Sequence, residues 1–187
     1  MADCASGDIS CWITSQADIL GNIANNLVPV EKMLTGGAYI LGIVFAFKAL
    51  HTLKQHGENK MGGGQNSSVK EPLIYFIVSA VFIYFPTAFS VFMQTTFGYS
   101  SVLAYSQLNP DNQTLTVFNG EAGRALTLII QCIGLFSFIK GWLMVSKSAS
   151  SGQQPGGISK GLIHVFGGIL AMNVVGTLDV LNNTLYG

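Results

Sequence analysis

Apolar residues crowd four long stretches of the chain, near residues 33–53, 72–96, 125–146 and 161–180. Each holds the roughly 20 mainly apolar residues that carry an α-helix across a hydrocarbon core of about 30 Å. The Gly-, Ser- and Lys-rich segment Lys54–Lys70 divides the first stretch from the second, and a weaker copy, Lys147–Lys160, divides the third from the fourth. The pattern predicts an all-α membrane protein whose four transmembrane helices form one hairpin written twice. In residues, Gly42-Ile-Val-Phe-Ala-Phe-Lys48 lies over Gly134-Leu-Phe-Ser-Phe-Ile-Lys140, and Lys70 with Leu73-Ile74 over Lys160 with Leu162-Ile163. The identities are few, and the match rests on hydropathy and loop composition.

Ahead of the first stretch, Ile13, Ala17, Leu20, Ile23, Ala24 and Leu27 recur at helical spacing, with Gln16, Asp18, Asn22, Asn25 and Asn26 between them. This predicts a short amphipathic helix closed by Pro29, lying flat on the outer leaflet or covering a neighbouring subunit. The chain thus divides into an N-terminal segment (1–31), a first hairpin (32–97), a connection (98–124) and a second hairpin (125–187). Residues 1–12 lack the basic start and apolar core of a secretory signal, and no lipobox precedes Cys4, so the start is expected to be mature sequence.

Inside the spans, small side chains recur four residues apart: Ala38, Gly42 and Ala46 in the first, Ser137 and Gly141 in the third, Gly167 and Ala171 in the fourth. Such stripes let a second backbone approach closely, and packing within the chain is their simplest use. The aromatic-rich second span contains Pro86, which removes a backbone bond to Phe82 and predicts a kink, static or hinged. Gln131 and Asn173 are expected to hydrogen-bond between helices, and Cys132, in apolar surroundings, to be inert.

Charge sharpens the class and sets an orientation. Charged residues make up 10% of the chain, against roughly 25% in a soluble domain. The formal charge is zero, which suggests no nucleic-acid partner. Lys48, Lys54, Lys60, Lys70, Lys140, Lys147 and Lys160 fall on one side of the spans, and only Lys32 and Arg124 on the other. Basic flanks stay in the cytoplasm, so both hairpin loops are expected inside and both chain ends outside. Lys48 and Lys140 can snorkel their ammonium groups to the headgroups. The basic loops serve as a topology signal or as a site for anionic lipid headgroups or a cytoplasmic partner; bound phospholipid is the one ligand they suggest, and no cofactor is expected. On the outer side, Cys4 and Cys11 form a disulfide or remain two thiols, and Arg124 and Asp179 form an ion pair or stay separately hydrated.

Catalytic chemistry finds little support. His51, His56 and His164 have no partner at metal-ligand spacing, and the glycine-rich loop lacks the Gly-Lys-Ser/Thr ending of a nucleotide-binding loop. A non-enzyme without a metal is expected. Ionisable residues fall near the predicted membrane edges, which weakens a carrier but leaves open a small stand-alone channel or holin-like pore.

The stretches Leu34-Thr-Gly-Gly-Ala-Tyr-Ile-Leu-Gly42, Phe45-Ala-Phe-Lys48 and Lys70-Glu-Pro-Leu-Ile74, together with the overall plan, resemble the IcmC/DotE-type small inner-membrane proteins of Dot/Icm (type IVB) secretion systems. The helix–basic loop–helix unit is also similar to the hairpin of conjugative pilins, here present twice. The resemblance implies two pilin-like hairpins in the bacterial inner membrane with both termini periplasmic. It further implies a structural subunit of an effector-exporting machine, in a homo- or hetero-oligomer with other inner-membrane and periplasmic subunits. By the pilin likeness, Lys54, Lys60, Lys70, Lys147 and Lys160 would meet lipid headgroups.

Overall fold

The computed structural model describes residues 9–61, 69–98, 121–148 and 156–186, and among them the backbone is helical apart from short turns. Six helices follow in order: α1 (Ile9–Met61), α2 (Lys70–Ile83), α3 (Phe85–Phe97), α4 (Glu121–Lys147), α5 (Gly157–Met172) and α6 (Val174–Tyr186). Two are long and apolar enough to cross a membrane, α1 over Pro29–Met61 and α4 over Ala125–Lys147. The pairs α2–α3 and α5–α6 pass the same test jointly, so the all-α chain carries two candidate spans, or up to four if each bent pair is one span.

Three expectations change. The short amphipathic helix is not separate, because α1 runs through Pro29 without a break. Proline forgoes one i→i−4 bond, but Val30-Glu31-Lys32-Met33-Leu34 that follow carry neither a glycine nor a capping residue to stop the helix. The first basic loop also starts later than expected. The helix persists through Leu53-Lys54-Gln55, and Lys54 and Glu58 make an i,i+4 pair at 3.6 Å, so Lys54 and Lys60 ride on α1. Finally, the kink expected at Pro86 is a sharp break, with α2 and α3 bent by 93°, and the fourth stretch, where no kink was expected, breaks between α5 and α6 by 91°.

The two breaks are built differently. Tyr84 ends α2 with its N–H on the Ala80 carbonyl, and Pro86 follows in the first turn of α3, where a missing N–H costs nothing. At the other break, Asn173 accepts a bond from the Gly176 N–H through its side-chain oxygen (3.3 Å), the geometry of a helix N-cap. Thr177 Oγ1 donates to the Leu170 carbonyl across the bend and to the Asn173 carbonyl, 2.9 Å each. Backbone groups freed within an apolar stretch must find partners inside the protein, and these side chains supply them.

Packing in the two halves matches at two levels. Just before the first break, Ile83 lies against Gly42, where an added Cβ would come within 2.8 Å of the Ile83 nitrogen. Just before the second, Met172 lies against Gly134, where a Cβ would come within 2.7 Å of the Met172 nitrogen. Two turns further along each straight helix, Ala49 and Gly141 are both buried. In each half an unbroken helix is followed by a broken one.

The hairpins are joined through the aromatic core. Phe138, fully buried, has Phe85, Phe89 and Phe92 of α3 edge-on around it, with ring centroids 5.8, 6.2 and 5.8 Å away. Edge-to-face rings at this separation add to the gain from burial alone. Trp142 completes the group, its buried Nε1 without a hydrogen-bond partner among the described residues.

Candidate functional site

Glu31, Thr35, Ala38 and Gly42 follow one another at spacings of four and three along one face of α1. The lower half of that face packs on α2. Its upper half, together with the two helix breaks, borders a half-open cavity of about 330 Å³. Phe85, Pro86, Phe89 and Ser90 bring α3 to it from just beyond the first break, and Met172 brings α5 from just before the second. The remaining wall is the Leu128, Gln131 and Leu135 face of α4. The cavity lies where the two repeats meet.

Its polar groups are few and half-buried: the Glu31 carboxylate, the Gln131 amide, and the hydroxyls of Thr35 and Ser90. Thr35 Oγ1 donates to the Glu31 carbonyl and Ser90 Oγ to the Pro86 carbonyl, each at 2.9 Å. Both hydroxyl hydrogens are therefore committed to the backbone, leaving oxygen lone pairs. The rest of the lining is apolar or aromatic, as in small-molecule sites of this size.

Of the residues singled out from the sequence, Gln131 lines this cavity, and Glu31, Thr35 and Ser90 were missed. The signal was available for Glu31 and Thr35, which continue the Ala38–Gly42 periodicity upward by two steps. Nothing comparable marked Ser90. Asn173 is buried at the second break, where it caps α6, a use its position in an apolar stretch did not suggest.

Seven of the lysines gather at one end. Successive levels of α1 match successive levels of α4: Glu31 and Thr35 share the cavity with Leu128 and Gln131, and Phe85, beside the Ile83–Gly42 contact, meets Phe138. The two straight helices therefore run in the same direction, with their lysine-bearing ends together. Lys48, Lys54, Lys60, Lys70, Lys140, Lys147 and Lys160 are all exposed. Lys48 places its ammonium 4.3 Å from the centre of the Tyr75 ring, a cation–π contact.

The small-residue stripes are used within the chain, with changes of register. Ala38 and Gly42 are buried as expected, but Ala46 is only half-buried and Ala49 takes the next place in the seam. Gly141 is buried against Gly161 and Val165, and Ser137 Oγ donates to the His164 carbonyl at 3.2 Å. Gly167 is a correction: it is exposed with nothing within 4 Å, and Gly168 is the glycine pressed against Gly134 and Phe138. A helix turns about 100° per residue, so adjacent glycines face different neighbours. Ala171 is half-buried.

Cys4, the side chain of Cys11 and the side chain of Arg124 lie outside the described residues, and with them the disulfide and the Arg124–Asp179 pair; Asp179 itself is half-buried on α6. The histidines are dispersed. His51 is 3.1 Å from the Gln55 amide, His164 Nδ1 is 2.9 Å from the Lys160 carbonyl, and His56 is buried near the end of α1. Among the described residues no group of three or more His, Cys, Asp or Glu is placed to hold a metal ion. No family model matches the chain, and neither a curated protein nor a solved structure is significantly similar to it.

Proposed function

We propose that the chain is a non-enzymatic structural subunit of a type IVB, Dot/Icm-like secretion machine, contributing to an oligomeric assembly or conduit for effector export. In this reading it sits in the bacterial inner membrane with its lysine-bearing end in the cytoplasm and both termini in the periplasm. The supporting observation is the apolar exterior. Ile40, Ile43 and Phe47 on α1, Ile133 and Phe136 on α4, and Ile163 and Phe166 on α5 are each more than half exposed, from 52% to 69%. Side chains of this kind need lipid or another protein over them. Because the glycine seams are consumed inside the chain, contacts with other subunits fall on this exterior. The secretion class itself rests on the resemblance of Leu34–Gly42, Phe45–Lys48 and Lys70–Ile74.

The test is deletion in the native host combined with purification of the tagged chain in mild detergent. Loss of effector export together with co-purifying inner-membrane subunits is the expected result. The cavity at the helix breaks, with its Glu31 and Gln131, favours a second reading, a stand-alone channel or holin-like pore. Ion flux through liposomes holding only this chain, with export intact after deletion, would replace the first reading with the second.

A further inference from the structure

Broken backbone at membrane depth is tolerated where it is packed in protein or borders a polar cavity, and in transporters such discontinuities build substrate sites. Here both breaks border one cavity, Pro86 from the first and Met172 from the second. Its chemistry is one-sided. Glu31 is acceptor-only when ionised, and Thr35 and Ser90 have already given their hydrogens to the Glu31 and Pro86 carbonyls. Gln131 alone brings a donor, and it brings an acceptor as well. Among the described residues no ion pair is made by Glu31.

We infer that this cavity is a binding site for a small primary amine carried on an apolar body, an alkylammonium ion. The ammonium offers three N–H donors to a wall of acceptors and a positive charge to the carboxylate. Phe85 and Phe89, which line the cavity, pack against its alkyl part. An alcohol of equal length can donate only once and carries no charge, and a carboxylate would face Glu31 with like charge. The volume, about 330 Å³, holds on the order of ten water-sized groups at roughly 30 Å³ each, the size of a short alkylammonium ion. The inference stands on the cavity alone and does not depend on a role in secretion.

The chain's own cation on the same α4 register is Arg124, one turn before Leu128, and the experiment includes it. The full chain in nanodiscs of zwitterionic lipid is titrated calorimetrically with butylammonium, butanol and butanoate. Butylammonium is expected to bind at least tenfold more tightly than butanol, and butanoate not to bind. Glu31→Gln, which keeps shape and removes charge, is expected to weaken butylammonium tenfold or more with the melting temperature unchanged. Ser90→Phe, which fills the space and leaves the carboxylate, is expected to abolish binding while helical content stays at the wild-type level. Equal affinity for amine and alcohol, unchanged binding in Glu31→Gln, or no binding to the folded wild type would overturn the assignment. So would binding seen only in Arg124→Ala, which would give the carboxylate to the chain's own guanidinium.

Discussion

The two hairpins follow one plan but close their seams with different materials. Between α4 and α5, Gly134 meets Gly168 and Gly141 meets Gly161, and a Cβ on any of the four would lie 2.8 Å or less from backbone of the other helix. Between α1 and α2 only Gly42 is so placed, and the seam is filled by Phe45, stacked at 6.1 Å on both Tyr75 and Phe82. Where lipid surrounds both helices, association draws on close packing rather than on escape from water. A backbone-to-backbone seam gains that packing from proximity and leaves no room to adjust. An aromatic seam gains it from side-chain area and can reorient. The first hairpin is therefore the more forgiving half.

Substitution at the seam glycines tests this difference with the largest effects. Gly141→Leu is expected to cost about 3 kcal/mol, at the upper end of the usual overpacking range, measured by reversible unfolding in mixed micelles. Gly42→Leu is expected to cost about half as much, because its nearest atoms lie at 2.8, 2.9 and 3.1 Å and its side-chain neighbour Ile83 is partly exposed, whereas all three around Gly141 lie at 2.7 Å and Val165 is buried. Gly167→Leu, with open space around it, is the control and should change nothing. Equal losses at Gly42 and Gly141 would erase the distinction between the seams.

The breaks offer a middle-sized contrast. Asn173→Ala removes the N-cap of α6 and is expected to cost about 1 kcal/mol. Spin labels on exposed Leu162 and Val180 should then show a broader distance distribution. Pro86→Ala restores a donor toward the Phe82 carbonyl, yet α3 is held on Phe138 by three rings. Labels on Leu73 and Val91 are therefore expected to keep their narrow distribution. A broadening there would mean that proline, rather than the aromatic contacts, holds the first bend. The smallest effect concerns the matched lysines. Lys48→Met should weaken its hairpin by about 0.5 kcal/mol through loss of the Tyr75 contact, and Lys140→Met, on an exposed side chain, by nothing measurable.

Much of the membrane architecture was legible because it depends on run length and period, which survive without tertiary information. The long apolar stretches in α1 and α4 and the buried Gly42 and Gly141 belong to this class. What hydropathy could not supply was direction. A proline in an apolar run announces a disturbance, but whether the chain bends slightly or turns by 93° depends on what receives the next segment, here Phe138. Asn173 carried even less warning, since its capping role exists only once the bend does. Gly167 and Gly168 are indistinguishable to a pattern of spacings, and the partner backbone at Gly134 decides between them. Glu31 escaped notice because the pattern seemed to restart after Pro29, whereas the helix face runs on across it.

That continuity makes α1 a lever. Its 53 residues, at about 1.5 Å each, span roughly 80 Å, while a bilayer with its headgroups measures only about 40–45 Å. The part preceding Pro29, ahead of the candidate span, accounts for about 30 Å at the same rise per residue. Rocking the candidate span by roughly ten degrees would move the start of the helix by about 5 Å over that length, so small rearrangements at the cavity are amplified far along α1.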